Sequence, residues 1–149
     1  MQPPWVPANL RFEIDDATQP WTWKEGYFDF VHMRCLFGAI SNWKALFEQA
    51  YRCCKPGGWV QSTEIDAPIH CDDGTLDAHP ATMKWAEMFR EAGRKTGRSF
   101  NIIAEDLQRA GMQAAGFIDI EVVDIKVSAE ISPLRQQSIC WRDHQPNTW

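Results

Sequence analysis

The sequence has few features of a nucleic-acid-binding or membrane protein. Its 149 residues hold 15 Lys and Arg against 20 Asp and Glu, a formal charge of −5, so no basic excess is available to neutralise a phosphate backbone. No apolar run approaches the roughly 18 residues of a membrane span, and Met1 is not followed by a basic and then apolar signal peptide. We therefore expect a cytoplasmic protein that binds neither nucleic acid nor membrane.

Patterns typical of disulfide frameworks and metal sites are also missing. The five cysteines are an odd number, two of them are adjacent (Cys53 and Cys54), and none forms a Cys-x-x-Cys motif. The polar loop after residue 66 fits no standard ligand spacing, although it contains His70, Cys71, Asp72, Asp73 and His79. We expect free thiols in a reducing compartment and no metal site.

Tryptophan, by contrast, is abundant. Eight Trp occur in the chain, and four of them fall in its first third: Trp5, Trp21, Trp23 and Trp43. Large aromatic side chains fill cores and line pockets for bulky organic ligands. The length suits one globular domain, and we expect its first third to form an aromatic wall.

Apolar periodicity predicts strands that alternate with helices. The expected strands are Leu10–Ile14, Tyr27–Met33, Trp59–Ile65 and Ile118–Val127; the expected helices are Asn42–Cys54, Ala81–Thr96 and Ile103–Ala115. Ser41 is the expected cap of the first helix, with Glu48 and Arg52 as an i,i+4 ion pair. Alternation of this kind is typical of a layered α/β fold with a mostly parallel sheet and flanking helices.

Domain boundaries follow from the same reading. Residues 1–127 form the expected α/β domain, and residues 128–149 form a tail without a convincing strand. The tail has a candidate short helix that begins at Ser132-Pro133, a cap followed by proline at the first helical position.

Several uncommon runs occur in an order and spacing that resemble the fungal LaeA-like class I methyltransferases. These runs are WVPANLRFEIDDATQPWTW, FDFVHMRCLFGAISNW, AYRCCKPGGWVQSTEI, EAGRKTGRS and AGFIDIEV. The resemblance covers about residues 3–127. It implies a Rossmann-like fold that binds S-adenosylmethionine and a role in secondary metabolism.

The resemblance also implies which residues lie near the site. Asp15 and Asp16 end the strand that approaches the adenine of the cofactor, and His32, Met33 and Arg34 follow the next strand. Glu64, at the end of its own strand, is the third candidate catalytic residue beside His32 and Arg34. A substrate pocket is expected from the residues Trp21, Trp23, Met33 and Phe37.

Each candidate also has a structural explanation. His32 could equally be a buried histidine bonded to backbone, and Arg34 a partner of Asp29 or Glu64 in a surface ion pair. The two aspartates could cap a turn, and Glu64 could be a solvated strand end. Core packing would explain the two tryptophans equally well.

One part of the family pattern has no counterpart in this sequence. The glycine-rich cofactor loop would precede Trp5, and Gly57-Gly58 follows a helix and precedes a strand, so it cannot replace that loop. We therefore expect a truncated class I methyltransferase-like sheet, completed by strand swapping or by a homodimer. On this argument no cofactor is expected, although S-adenosylmethionine is left open.

Three functions remain. The favoured one is a cyclase or isomerase that acts on a polyketide- or polyene-type small molecule in an aromatic pocket, since such chemistry needs shape and one or two hydrogen-bond donors. The alternatives are an S-adenosylmethionine-dependent small-molecule methyltransferase and a non-catalytic regulatory relic of the LaeA-like family.

Overall fold

The computed structural model describes residues 5–71, 80–128 and 133–142, and in residues 126–128 and 133–142 it describes the backbone only. Seven elements follow one another: β1 (Phe28–Arg34), α1 (Trp43–Cys53), β2 (Cys54–Ile65), α2 (Pro80–Thr96), α3 (Leu107–Ala115), β3 (Glu121–Ser128) and β4 (Pro133–Arg142). The alternation of strands and helices agrees with the expected α/β class.

The four strands form one sheet in the order β1-β2-β4-β3. Strand β1 runs parallel to β2 with His32 opposite Gln61, whereas β4 is antiparallel to both β2 and β3. The expectation of a mostly parallel sheet is therefore wrong for the described strands, since one pairing is parallel and two are antiparallel. Strand β1 forms one edge of this sheet.

One face of the sheet carries the core. Val60, Ser62 and Glu64 alternate along β2 and are fully buried, because α1 and α3 pack over them. Helix α1 inserts Trp43, Phe47 and other apolar residues at helical spacing into a buried cluster: Met33, Ile40, Trp43, Leu46, Phe47, Ala50, Cys54, Val60, Ile102, Met112 and Phe117. The helices thereby fix β2 and the end of β1.

The opposite face is open to solvent in the described part of the chain. Phe30 is 53% exposed, Trp59 is 38% exposed and Ile125 is 46% exposed. Cross-strand register places these residues on the same side of the sheet. An apolar face of this kind needs a covering layer or a partner.

Helix α2 is attached through an aromatic series. The Trp85 and Phe89 rings lie 4.9 Å apart, Phe89 lies 5.1 Å from Phe100, and Phe100 lies 6.0 Å from Phe37. Phe100 covers Gly38, where an added Cβ would lie 2.1 Å from the ring. The series joins α2 to the loop that follows β1.

Two predicted elements are wrong. Residues 10–14 are not a strand: Leu10, Phe12 and Ile14 are exposed, and none of the described strands pairs with this run. The helix expected after Ser132 is instead strand β4, because its backbone finds partners on both sides, in β2 and β3. A favourable cap sequence is a weaker preference than two ladders of hydrogen bonds.

Local boundaries differ for identifiable reasons. Asn42, not Ser41, caps α1, with its Oδ1 accepting from the Ala45 amide at 3.0 Å. Helix α3 begins at Leu107 instead of Ile103, because Asp106 has a left-handed backbone (φ 52°) that interrupts the preceding turns. Glu48 pairs with Lys44 at 3.5 Å instead of with Arg52, whose hydrogen bonds are described below.

Candidate functional site

A cleft of about 530 Å³ runs along β1. Its walls come from the edge of β1 and from the segment that precedes this strand. The lining residues are Glu13, Asp15, Ala17, Trp21, Trp23, Phe28, Phe30, Val31, His32, Met33, Arg34, Leu36 and Leu46. Aromatic rings, two carboxylates, an imidazole and a guanidinium therefore meet in one place, which is typical of a site for a partly polar organic ligand.

Residues 19–23, which we call the tryptophan arm, supply the aromatic wall. The Trp21 and Trp23 rings lie 5.6 Å apart at 87°, and Trp23 lies 5.2 Å from Phe28. Trp21 also donates from Nε1 to the Ala17 carbonyl at 3.1 Å. The two rings therefore belong to an ordered edge-to-face series that continues into β1.

Polar side chains of α1 hold the arm. Arg52 donates from Nη2 to the Trp21 carbonyl and from Nη1 to the Trp23 carbonyl, each at 2.9 Å. Gln49 accepts from the Trp21 amide and donates to the Gln19 carbonyl at 3.0 Å. One face of α1 packs in the core while another fixes this wall of the cleft.

His32 is exposed and its ring is oriented by two neighbours. Nδ1 lies 2.9 Å from Oε1 of Gln61, the residue opposite on β2, and the ring stacks on Phe30 at 6.2 Å and 23°. In the neutral tautomer that carries its hydrogen on Nδ1, this nitrogen donates to Gln61 and Nε2 carries the lone pair. The alternative of a buried histidine bonded to backbone is wrong, since the residue is exposed.

The two adjacent aspartates, Asp15 and Asp16, have different surroundings. Asp15 lines the cleft, and its Oδ1 accepts from the Asp16 amide at 2.8 Å. Asp16 instead closes a turn, its Oδ1 accepting from the Thr18 hydroxyl at 2.7 Å and the Thr18 amide at 2.9 Å. Those bonds to Thr18 hold the pKa of Asp16 below its usual value.

Glu64 stands apart from the cleft lining. Its carboxylate is fully buried and accepts from the Leu36 amide at 2.9 Å and from the Phe37 amide at 3.0 Å. Burial raises its pKa, against the opposing effect of these amide bonds. Glu64 is therefore neither a solvated strand end nor a partner of Arg34: it holds the loop after β1.

Six of the nine candidate residues line the cleft: Asp15, Trp21, Trp23, His32, Met33 and Arg34. Phe37 is not in the lining, because its ring packs on Phe100. Sequence reasoning missed Glu13, Phe28 and Phe30 of the lining, and Gln49, Arg52 and Gln61 behind it. For Phe28 and Phe30 the signal was available, since they alternate with residues on the other face of a predicted strand.

A second polar pair follows β2. Oδ2 of Asp66 lies 2.6 Å from Nε2 of His70, with the Asp66 side chain 11% exposed and that of His70 48% exposed. The described residues contain no group of three or more side chains placed to hold a metal ion. The predictions for Asp72, Asp73 and His79 lie outside the described residues.

Comparison with solved structures shows that the fold is Rossmann-like, of the class I methyltransferase type. A methyltransferase from Methanosarcina mazei described as S-adenosylmethionine-dependent aligns with a TM-score of 0.60 at 11% identity, over 91% of this chain and 68% of that one. Phosphoethanolamine N-methyltransferase 2 from Haemonchus contortus, in complex with S-adenosyl-L-methionine, aligns with a TM-score of 0.55 at 16% identity, over 87% of this chain and 36% of that one.

Sequence comparison identifies the family. A family model described as "Methyltransferase domain" matches residues 2–122, so the chain belongs to this methyltransferase family. The secondary metabolism regulator LAE1 of Cochliobolus heterostrophus is 39% identical over 85% of the chain and 41% of its own length. Methyltransferase pytC of Aspergillus terreus is 34% identical over 78% of the chain and 35% of its own length.

The expected resemblance to LaeA-like fungal proteins of secondary metabolism is thereby confirmed. The chain spans about two fifths or less of the length of these two curated relatives. Within the described ranges, no helix is both long and apolar enough to cross a membrane.

Proposed function

We propose that the protein is an S-adenosylmethionine-dependent methyltransferase of fungal secondary metabolism with a small organic acceptor. The observation that carries the proposal is the cleft along β1, where aromatic rings and carboxylates lie beside His32 and Arg34. Two relatives support methyl transfer over cyclisation by their names: methyltransferase pytC of Aspergillus terreus and tdiE of Emericella nidulans, which is named "Probable methyltransferase".

The cleft residues fit the cofactor by their chemistry. Trp21 and Trp23 offer ring faces and edges to a purine and to a sulfonium cation. The carboxylates of Glu13 and Asp15 accept hydrogen bonds from hydroxyl and amine groups and attract positive charge. The volume of about 530 Å³ lies within the usual range for small-molecule and cofactor sites. When bound, S-adenosylmethionine supplies an electrophilic methyl group.

His32 and Arg34 are the residues that we assign to the acceptor. In the tautomer that donates from Nδ1 to Gln61, Nε2 of His32 has the lone pair that accepts a proton from an acceptor hydroxyl or amine. Arg34 has donors only, and its guanidinium suits a carboxylate or carbonyl of the acceptor. Glu64 acts through the loop after β1 and is a positioning residue in this scheme.

Cyclisation or isomerisation is the second candidate, and one specific observation favours it. Arg34 is an exposed hydrogen-bond donor at the side of an aromatic cleft, beside the exposed imidazole of His32. Such a site can bind a polyene or polyketide and polarise its carbonyl group without a cofactor. The two candidates differ in product mass, since methylation adds one CH₂ to the acceptor and isomerisation leaves its mass unchanged.

Binding of S-adenosylhomocysteine by the full chain tests the first proposal. We expect titration calorimetry to give a Kd below about 100 μM, a binding free energy near −5.5 kcal/mol. Asp15→Asn should raise this Kd about tenfold, because a charged acceptor is lost. Asp16→Asn is the matched control, since Asp16 closes a turn outside the cleft lining, and it should stay within about twofold.

Two results would count against methyl transfer. Wild-type protein that shows no heat of binding up to about 1 mM ligand lacks the proposed cofactor site. Equal losses in Asp15→Asn and Asp16→Asn would place the ligand elsewhere. A product of unchanged mass, formed by wild-type protein and lost in His32→Ala, would establish the second candidate instead.

A further inference from the structure

The hydrogen bonds of Gln49 and Arg52 are unusual for side chains on the polar side of a helix. Neither residue is used in an ion pair along α1, since Glu48 pairs with Lys44. Both instead reach the backbone of the tryptophan arm, 28 to 31 positions away in sequence. The arm is thus attached to α1 by groups that lie behind the cleft, while its rings line the cleft.

The planar guanidinium of Arg52 fixes two carbonyls of the arm relative to each other. Arg52 bonds the Trp21 and Trp23 carbonyls with two nitrogens of one rigid planar group, each at 2.9 Å. The two carbonyls that it fixes belong to the two residues whose rings form the aromatic wall. Arg52 therefore sets the position of Trp21 relative to Trp23, whose rings stand 5.6 Å apart at 87°.

Backbone hydrogen bonds anchor the chain after the tryptophan arm as well. The Gly26 amide donates to the Arg52 carbonyl at 3.1 Å, and the Tyr27 amide donates to the Cys53 carbonyl at 2.8 Å. These bonds fix the entry to β1, whereas the Gln49 and Arg52 side chains fix the arm before it. Cys53 adds a weaker bond from its Sγ to the Trp23 carbonyl at 3.6 Å. Loss of the Gln49 or Arg52 side chain should therefore loosen the arm and leave the pairing of β1 with β2 intact.

We propose that Gln49 and Arg52 are positioning residues that hold the tryptophan arm open as the aromatic wall for the purine of the cofactor. The inference rests on the proposed function for its ligand. Neither side chain is in the cleft lining, so both act through the arm. Preorganised walls bind more tightly because the ordering of the arm does not have to occur during binding.

Hydrogen exchange and S-adenosylhomocysteine binding test the inference together. In Arg52→Ala we expect faster amide exchange in residues 19–24, unchanged exchange in α3, and a Kd for S-adenosylhomocysteine raised at least about tenfold. Arg52→Lys should recover part of the affinity, since ammonium can bond one carbonyl but lacks the fork. Glu48→Ala, on the same helix but paired only with Lys44 in the described contacts, is the control and should match wild type.

The outcomes separate the two proposals. If wild-type protein binds and Arg52→Ala binds equally well, the positioning role is wrong while the cofactor site stands. If Arg52→Ala and Arg52→Lys lose affinity only in parallel with their melting temperature, the residues stabilise the fold and do not position the arm. If wild-type protein fails to bind, the cofactor site itself is wrong, and with it the role of the arm, even where exchange in residues 19–24 rises as expected.

Discussion

Glu64 has a buried carboxylate whose oxygens face the Leu36 and Phe37 amides. Glu64→Ala leaves those amides without this acceptor, so we expect a loss of about 1–3 kcal/mol in the free energy of unfolding. Glu64→Gln keeps one carbonyl oxygen near both amides, so it should lower the free energy of unfolding less than Glu64→Ala does. Urea unfolding at neutral pH measures the two variants, and equal costs for Ala and Gln would contradict the role of the amide bonds.

The pKa of Glu64 predicts a pH dependence with a definite sign. Burial raises this pKa in the folded protein above the ordinary value of 4.5, so the folded state holds the proton more tightly than the unfolded state. The contribution of Glu64 is therefore most favourable below pH 4.5 and declines as the pH rises towards the folded pKa. The difference in melting temperature between wild type and Glu64→Gln should be larger at pH 4 than at pH 7; a difference that grows with pH would refute this sign.

At the scale of single residues, the sequence predicted which side chains share a face of a strand, but it did not predict hydrogen bonds between residues that lie far apart in the chain. His32 and Arg34, which line the cleft, could be predicted as candidate site residues because their strand and the family resemblance were both readable. Arg52 could not be placed, since its partners lie 29 and 31 positions earlier and only the fold brings them together. The burial of Glu64 depends on the loop at residues 36–37 folding over it, which no local pattern encodes.

Helices α1 and α3 approach closely at Gly111. A Cβ added there would lie 2.8 Å from Cδ2 of Phe47, a fully buried ring. Helix propensity alone favours Gly111→Ala by about 1 kcal/mol, but overpacking costs about 1–3 kcal/mol. We therefore expect a net loss of stability in denaturant unfolding.

A double-mutant cycle identifies the cause. Phe47→Leu removes the ring edge, so Gly111→Ala should cost less in that background than in wild type. Gln113→Ala, at an exposed position of α3, is the control and should stay within about 0.5 kcal/mol of wild type. A Gly111→Ala protein that is more stable than wild type would show that the helices separate without cost.

Helix α2 depends on Phe100 for its attachment. Its described residues include none that is buried, and its ring contact to Phe100 continues to Phe37. Phe100→Ala should therefore speed proteolysis and amide exchange in residues 80–96 and leave α1 protected. Trp85→Ala removes the ring at the outer end of the series, so it should change proteolysis and amide exchange less than Phe100→Ala does, both in residues 80–96 and in α1. Equal effects of the two substitutions would mean that contacts other than Phe100 hold α2.

Elements that were predicted well are those whose own periodicity matches their environment. Strand β1 and helix α1 were found within one or two residues, because their apolar spacing meets a core on the expected side. Residues 10–14 alternate correctly but have no paired backbone in the described structure, and β4 carries a helix-like start yet lies between two strands. In both cases the decisive factor is the neighbouring strand, which lies far away in sequence.

The whole sheet has an open edge at β1 and an apolar face that is partly exposed in the described residues. Edges and faces of this kind pair readily with other chains unless they are covered. Ile14 is fully exposed and lies in a run with the alternation of a strand, so it offers a second apolar element. We propose, as the sequence led us to expect, that this 149-residue chain associates with itself as a homodimer, and we assign the contact to the apolar face that carries Trp59 and Ile125, outside the cleft lining.

Light scattering after gel filtration measures this association directly. We expect a dimer at about 10–100 μM for the wild-type chain, with dissociation on dilution. Ile125→Lys places a charge on this face and should shift the chain towards monomer, because a charged side chain opposes burial of an apolar patch. Met83→Lys makes the same change at an exposed site on α2 and is the matched control. A monomeric wild-type chain, or an equal shift in both variants, would mean that this face does not form the interface.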